Sequence, residues 1–225
     1  MSKRVSHSLL DPFIGPPIKK LYPMLRIPTW FPPEGIVLAG HVAAMIGAVG
    51  FAYSTTRVWG GLLVAFGVTG NHFADCIDGT HARATNQCRN GGELLDHFTD
   101  PLSFAYWIFG WSVAVGKLEW GIIGVIVLYA TAVLTNIKAK MLGEFTLGTL
   151  GPTEFKTGLV LLGLALAVTQ ADSVASHALG RWSLLISVVL GAVSLTVNLV
   201  RAVNQVNQDG APPDTSEWDT IRENK

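Results

Sequence analysis

Apolar residues recur along this chain in runs that are long enough to cross a membrane, and polar residues separate the runs. A helix needs roughly 20 mostly apolar residues to span the hydrocarbon core of a bilayer. Gly and Ala are scattered through most of the runs, which favours close helix packing. We therefore expect an all-α integral membrane protein built as one bundle. The pattern predicts six transmembrane helices, over residues 35–53, 58–76, 95–116, 119–137, 157–171 and 182–202.

The segment before the first run has a different character. Residues 1–34 contain lysines and arginines among apolar side chains and several prolines. The stretch from Lys19 to Arg26 suits a short amphipathic helix lying at the membrane interface, and a disordered basic segment is the alternative. No uninterrupted apolar core precedes a cleavage site, so the segment is not predicted to be a signal peptide.

Residues 203–225, at the other end, are polar, with alternating charges around Pro212-Pro213. Such a composition is typical of an exposed tail with little packed structure. The predicted division is an N-terminal interfacial segment (1–34), a membrane domain (35–202) and a polar cytoplasmic tail (203–225).

Composition and charge support a membrane protein and predict its orientation. Charged residues make up only 14% of the chain, and the mean hydropathy is +0.40. The formal net charge is +0, so we expect no nucleic-acid partner. Thirteen of the 16 lysines and arginines lie in or beside the two ends of the chain, the 77–94 loop or the polar 138–156 loop, which share one side of the bundle. Basic residues favour the cytoplasmic side, and we therefore expect the 77–94 loop to face the cytoplasm.

Four carboxylates stand where the second and third apolar runs approach this loop: Asp75, Asp78, Asp96 and Asp100. Helical spacing places the first two on one face of a helix and the last two one turn apart on the next helix. A single Asp near a helix end is usually a cap, but four carboxylates at membrane depth would repel one another and be costly to desolvate. The set predicts a divalent-cation site, and oxygen ligands suit Mg²⁺ or Mn²⁺ better than Zn²⁺.

Two further residues point to the substrate. Gly79 leaves room for a ligand beside the backbone, and Arg83 supplies a permanent planar charge that suits phosphate. A cation site next to this arginine indicates a phosphate-bearing substrate.

The whole stretch satisfies the pattern D-x2-D-G-x2-A-R-x8-G-x3-D-x3-D and resembles the signature of the CDP-alcohol phosphotransferase family. The fixed positions are Asp75, Asp78, Gly79, Ala82, Arg83, Gly92, Asp96 and Asp100. Residues 92–97, Gly-Glu-Leu-Leu-Asp-His, are most similar to the choline and ethanolamine phosphotransferase branch. The likeness covers roughly residues 9–160.

The resemblance implies an enzyme of phospholipid biosynthesis that transfers a phospho-alcohol group from a CDP-alcohol to a hydroxyl acceptor and releases CMP. It implies two metal ions, one on Asp75, Asp78 and Asp96 and one on Asp75, Asp96 and Asp100, with Asp100 as the base. It also implies a homodimer. His97 is a second candidate for proton transfer, or else an interfacial hydrogen-bonding residue. The residues implied to contact the nucleotide and its phosphates are Gly79, Ala82, Arg83 and Gly92.

The substrates are open at this point. CDP-choline or CDP-ethanolamine with diacylglycerol fits the branch likeness. CDP-diacylglycerol with a small alcohol such as inositol, inositol phosphate, serine or glycerol phosphate fits the six-span size and the Asn86-Gln87 pair. Two alternatives outside the family are a membrane prenyltransferase, which also binds diphosphate through Asp-rich helices, and a divalent-cation transporter, whose site should lie nearer the membrane midplane.

Overall fold

Six long helices form the body of the protein. In this computed structural model, which describes residues 3–148, 151–212 and 215–216, two short strands and two shorter helices accompany them. The elements in chain order are β1 (Lys3–Ser6), α1 (Asp11–Lys20), α2 (Tyr22–Leu25), α3 (Pro33–Tyr53), α4 (Val58–Ala84), α5 (Asn90–Ala114), α6 (Leu118–Leu142), β2 (Glu144–Leu147), α7 (Pro152–Thr169) and α8 (Ser173–Asp209).

Four of the long helices, α3, α6, α7 and α8, are long and apolar enough to cross a membrane. Helices α4 and α5 have comparable lengths, but polar residues of the carboxylate motif occupy one end of each. The predicted all-α fold is confirmed, with one pair of four-residue strands as an addition. Length and composition support four of the six predicted spans.

The two motif helices extend beyond the apolar runs that predicted them. Helix α4 continues past residue 76 to Ala84, and α5 begins at Asn90 instead of residue 95. The backbone hydrogen bonds of a helix continue through polar residues, whereas hydropathy falls at the first of them. Asp78, which lies beyond the predicted apolar run, is therefore part of regular helix, as its spacing from Asp75 predicted.

Local capping explains the early starts of the last two helices. Helix α7 begins at Pro152, because the Glu154 carboxylate accepts a hydrogen bond of 2.8 Å from the Gly151 N–H. Helix α8 begins after Asp172, whose side chain accepts bonds from the next turn. It continues to Asp209, so the first part of the predicted tail is helical, with mostly exposed side chains. Positions 213–214 and 217–225 of that tail lie outside the described residues.

Helices α3 and α4 run antiparallel at close range. A Cβ atom on Gly50 would lie 2.6 Å from the backbone nitrogen of Val64, and one on Gly40 would lie 2.8 Å from the Cβ of Ala74. Small residues at such crossings let two backbones approach. Helix α4 therefore accompanies α3 along most of its length, and this brings Asp75 to the end of the bundle at which α3 begins.

Two tryptophans of α5 anchor that helix in the core. Trp107 and Trp111 are both buried, and their indole N–H groups donate to the carbonyls of Ala44 at 2.9 Å and Gly180 at 2.8 Å. A buried indole needs such a partner, so these bonds fix how α5 sits against α3 and α8.

The N-terminal segment differs from the predicted helix over Lys19–Arg26. Helix α1 instead covers Asp11–Lys20, and the four-residue helix α2 follows. Pro23 lies in the first turn of α2, where it has no N–H to donate to the carbonyl of Lys19, and α1 ends before it. Arg26, at a left-handed φ of 48°, ends α2. Parallel pairing of β1 with β2 connects the start of this segment to the chain between α6 and α7.

Candidate active site and metal centre

Helices α4 and α5 bring three of the predicted metal ligands together. One carboxylate oxygen from each of Asp75, Asp78 and Asp96 lies within 4.8 Å of the others. Asp75 and Asp78 lie on one face of α4, and Asp96 projects from the polar end of α5. The sequence expectation that these carboxylates converge is confirmed, and among the described residues this is the group that could hold a metal ion.

The donor set fits a hard divalent cation. All three side chains offer oxygen, and Asp78 is only 8% exposed. Like charges held this close in a partly desolvated place repel strongly unless a cation lies among them. Oxygen-only sites suit Mg²⁺, Mn²⁺ or Ca²⁺, so the residues present fit the metal that the motif implies.

A narrow polar cleft continues from these carboxylates into the bundle. Its floor includes His41, Asn71 and Ser103, which the sequence expectations did not include. The Asn71 amide donates to the Gly40 carbonyl at 3.2 Å, and Ser103 Oγ lies 3.3 Å from Nδ1 of His41. Asn71 Oδ1 is buried without a hydrogen-bond partner among the described residues. The cleft therefore presents an acceptor atom beneath the carboxylates.

The fourth carboxylate, Asp100, lines the same cleft but is not in the close group of three, and a lysine lies between it and Asp75. Nζ of Lys156 lies 2.8 Å from Oδ2 of Asp75 and 4.0 Å from Oδ1 of Asp100. The lysine side chain is 2% exposed, whereas those of Asp75 and Asp100 are 29% and 33% exposed. The Lys156 ammonium therefore approaches the carboxylates from the buried side of the site.

The predicted phosphate and nucleotide residues lie around the end of α4. Arg83 is exposed, and its guanidinium folds back over Gly79, where a Cβ atom would lie only 3.3 Å from Nη1. Gly79 thus makes room for this conformation of Arg83. Ala82, which precedes Arg83 in the last turns of α4, is half-buried. Gly92 lies in the first turn of α5, where a Cβ atom would be 3.8 Å from a Glu34 carboxylate oxygen.

His97 faces a different neighbour from Asp96. Its Nδ1 lies 3.5 Å from Oδ1 of Asn136 on α6, and its ring packs edge-on to Phe145 at 4.9 Å between centroids. Consecutive residues on a helix point about 100° apart, so Asp96 can join the carboxylates while His97 turns toward α6. These contacts suit the interfacial alternative for His97, and its catalytic role stays a prediction.

Comparison with known proteins adds the family. Residues 32–200 match the sequence profile of the CDP-alcohol phosphatidyltransferase family. The chain belongs to this family. It is 31% identical to cholinephosphotransferase 1 of Homo sapiens over 164 residues, which cover 66% of this chain and 39% of that protein. It is 30% identical to choline/ethanolaminephosphotransferase 1 of Saccharomyces cerevisiae over 151 residues, which cover 63% of this chain and 38% of that protein.

The family resemblance expected from the motif is therefore confirmed. The match is shifted relative to the predicted 9–160: it begins later, at residue 32, and ends later, at residue 200, so that it includes all of α7 and most of α8. The chain spans about two fifths of the length of the curated relatives that it matches.

Lys156 is another residue at this site that the sequence expectations did not include. The sequence placed it at the end of the polar 138–156 loop, because the apolar run begins after it. The early cap of α7 instead puts it inside the helix, on a buried face with Thr153, Leu159, Gly163 and Leu166. That spacing of three and four residues was the available signal, but it becomes visible only once the helix start at Pro152 is known.

Proposed function

We propose that this chain is a metal-dependent CDP-alcohol phosphotransferase of phospholipid biosynthesis. The convergence of Asp75, Asp78 and Asp96 in a member of this family is the observation that carries the proposal. These three carboxylates would hold Mg²⁺ or Mn²⁺ at the end of α4. The two-ion arrangement predicted from the sequence stays a prediction, since Lys156 contacts two of the carboxylates implied for the second ion.

When bound, the cation would neutralise the pyrophosphate of the CDP-alcohol and withdraw charge from the phosphorus under attack. Arg83 would contact the same phosphates, because its exposed guanidinium is held over Gly79 at the mouth of the site. Ala82 and Gly92 complete the proposed nucleotide contacts with small side chains that allow close approach.

Asp100 is the proposed base. It is one turn from Asp96 along α5, and its side chain is partly exposed at the open side of the site. The acceptor hydroxyl would give its proton to Asp100 while its oxygen forms a bond to the β-phosphorus. The bond from that phosphorus to the oxygen of CMP breaks, and CMP leaves with the bonding electrons. No covalent enzyme intermediate is required.

We propose choline or ethanolamine as the alcohol and diacylglycerol as the acceptor. The relatives named above are a cholinephosphotransferase and a choline/ethanolaminephosphotransferase. The Asn86-Gln87 pair was one argument for the alternative, CDP-diacylglycerol with a small alcohol, and this argument is weakened by a structural role of Gln87. The Gln87 side chain donates to the carbonyls of Thr29 at 2.9 Å and Phe31 at 3.1 Å, so it is occupied in holding the N-terminal segment.

The proposed membrane arrangement has all six long helices crossing the bilayer, with α1 and α2 at the interface. Helix α4 supports this because it lies antiparallel along α3, a candidate span, over most of its length. Phe13 and Met24 are each 75% exposed on α1 and α2, which suits insertion into an interface. The division into residues 1–34, 35–202 and 203–225, the cytoplasmic orientation of the site and the homodimer all stay predictions.

The substrate assignment is tested by CMP release from purified protein in lipid-containing micelles with Mg²⁺. One reaction set offers CDP-choline or CDP-ethanolamine with diacylglycerol; the other offers CDP-diacylglycerol with inositol, inositol phosphate, serine or glycerol phosphate. We expect CMP from the first set. CMP from the second set alone would reverse which substrate carries the lipid. CMP from neither set would contradict the proposed activity, and a prenyltransferase would produce none.

A further inference from the structure

Helix α1 is held at both ends against the polar end of the bundle. Where it begins, the backbone N–H of Leu10 donates to a carboxylate oxygen of Glu154 at 3.0 Å. Just beyond its end, the hydroxyl of Tyr22 lies 2.8 Å from Nδ1 of His81. The first contact belongs to the start of α7 and the second to the last turns of α4, so α1 reaches from one of these helices to the other.

This course places the last turn of α1 beside the metal-ligand end of α4. The Ile18 side chain packs against the cluster of Ala74 and Ile77, which precede and follow Asp75 in the chain. Lys19 is the next residue of α1, and an electrostatic interaction links its ammonium to the Asp75 carboxylate. The Lys19 side chain is exposed. The rim of the carboxylate site therefore includes a basic residue that lies far outside the family motif.

The other basic residues near the site differ from Lys19 in what they contact. Lys156 is buried and hydrogen-bonds to a carboxylate of the site at 2.8 Å, and Arg89 pairs with Glu34 at 2.7 Å. Carboxylates of the protein therefore hold both of these cations. Lys19 and Arg83 instead have exposed side chains, so an anion that enters from solvent can reach both.

An ammonium at this position favours a ligand that carries phosphate. The pyrophosphate of a CDP-alcohol must approach several carboxylates, whose charge repels it wherever a cation does not compensate for that charge. An exposed lysine can bind phosphate as a flexible point charge. The adjacent Lys20 is also exposed but points about 100° around the helix, so it differs from Lys19 in direction and not in chemistry.

We propose that Lys19 binds the phosphates of the cytidine nucleotide at the rim of the site, together with Arg83 of α4. The inference rests on the proposed function and adds a binding residue from α1 to it. Lipid phosphates are the other source of the same chemistry, because α1 is proposed to lie at the membrane interface. The interaction with Asp75 favours the nucleotide, since it places the Lys19 ammonium towards the site.

The test measures nucleotide binding without turnover. The full chain is purified in neutral detergent with phosphatidylcholine, and CDP is titrated in the presence of Mg²⁺ by isothermal titration calorimetry. Lys19→Met removes the ammonium but keeps an unbranched side chain, and it should weaken CDP binding about three- to tenfold. Added NaCl should weaken CDP binding more steeply in the wild type than in this variant. Equal CDP affinity of Lys19→Met and the wild type would overturn the inference.

Variants of the two adjacent lysines supply the controls. Lys19→Arg keeps the charge and should bind CDP within about twofold of the wild type. Lys20→Met removes the same charge from the same turn and should also stay within about twofold. Equal weakening in Lys20→Met and Lys19→Met would indicate a general effect of net charge and would contradict a specific contact. Both lysines are exposed, so all three variants should keep the wild-type unfolding midpoint.

Native mass spectrometry distinguishes the two sources of phosphate. The wild type and Lys19→Met are placed in nanodiscs of phosphatidylcholine and phosphatidylglycerol, and the anionic lipids that each protein retains are counted. We expect equal retention by the two proteins. Fewer retained anionic lipids in Lys19→Met, together with unchanged CDP binding, would assign Lys19 to the membrane surface and overturn the inference.

CDP binding and CMP release together separate this inference from the proposed function. CDP binding that depends on Lys19, without CMP release from any CDP-alcohol, would count against the function alone. Mg²⁺-dependent CMP release by a protein whose CDP affinity does not depend on Lys19 would count against the inference alone. A wild-type protein that does not bind CDP would overturn the inference whatever its activity.

Discussion

The hydroxyl of Tyr22 lies 2.8 Å from Nδ1 of His81, and Nε2 of the same imidazole lies 2.8 Å from the carbonyl oxygen of Phe31. A carbonyl can only accept, so Nε2 carries the proton, and Nδ1 accepts from Tyr22 in the neutral ring. His81 is fully buried, one turn beyond Asp78 on α4. The ring therefore ties the segment before α3 to the polar end of α4, next to the carboxylates.

Removing either the Tyr22 hydroxyl or the His81 ring should destabilise the fold. Tyr22→Phe loses one hydrogen bond and should lower the free energy of unfolding by about 0.5–1.5 kcal/mol. His81→Leu leaves the Tyr22 hydroxyl without its partner, whereas the Phe31 carbonyl keeps its hydrogen bond from Gln87. This variant should lower the free energy of unfolding by about 1–3 kcal/mol. Reversible unfolding in mixed detergent micelles measures both changes. Equal stability of the His81 variant and the wild type would show that the ring contacts are dispensable.

The close contact of α3 and α4 predicts an asymmetry between two glycines. Gly50→Ala would place a methyl group 2.6 Å from the backbone nitrogen of Val64, so the helices must separate. We expect a loss of about 1–3 kcal/mol in stability. Gly158→Ala on α7 meets nothing within 4 Å and should be neutral or stabilise the helix by up to about 1 kcal/mol. The unfolding midpoints of the two variants and the wild type measure these effects. Equal effects of the two substitutions would contradict the close packing of α3 on α4.

Asp78 and Asp100 should differ when each is changed to asparagine. Asp78→Asn removes a charged ligand and should weaken Mn²⁺ binding at least tenfold, together with loss of turnover, because metal sites of this kind depend on ligand charge. Asp100→Asn should keep Mn²⁺ binding and lower kcat by about 10²–10⁴, the range for loss of a general base. Lys156 still pairs with Asp75 in that variant, so the site keeps its shape. Metal binding and CMP release, measured on the same preparations, separate the two roles.

Arg83 should affect substrate binding more than turnover. Arg83→Ala removes charge-assisted hydrogen bonds to phosphate, each worth about 1.5–3 kcal/mol, so the KM for the CDP-alcohol should rise about 10- to 100-fold. Arg83→Lys should recover part of the loss, because lysine keeps the charge without the planar fork. Arg57→Ala is the control, since Arg57 is exposed in the turn that precedes α4. An unchanged KM in Arg83→Ala would contradict the proposal that Arg83 contacts the phosphates of the substrate.

The sequence predicted those parts of the structure that depend on local patterns. Helix α3 and the predicted run 35–53 nearly coincide, because the apolar residues begin and end with the helix. Asp75 and Asp78 share one face of α4, as their helical spacing predicted, and Asp96 meets them from α5. Helix α8 was predicted too short at both ends, since its ends are polar and are stabilised by capping and backbone bonds, which hydropathy does not detect.

Contacts between residues far apart in the chain could not be predicted from local sequence patterns. Lys156 is 81 positions from Asp75, and Tyr22 is 59 positions from His81. Neither pair belongs to a periodic pattern, because each depends on how two helices are placed by packing elsewhere. Lys156 is also a residue type that usually marks a helix end at a membrane surface, so its burial contradicts the common expectation.

The most direct test of the central claim is CMP release from CDP-choline and CDP-ethanolamine by EDTA-stripped protein, with diacylglycerol present, before and after addition of Mg²⁺. The wild-type protein should release CMP only after Mg²⁺ is restored, and Asp96→Asn should release at least 100-fold less, an effect equivalent to about 2.7 kcal/mol or more of transition-state stabilisation. Release at the wild-type rate by the Asp96 variant, or release that does not depend on the cation, would contradict a metal-dependent reaction at these carboxylates.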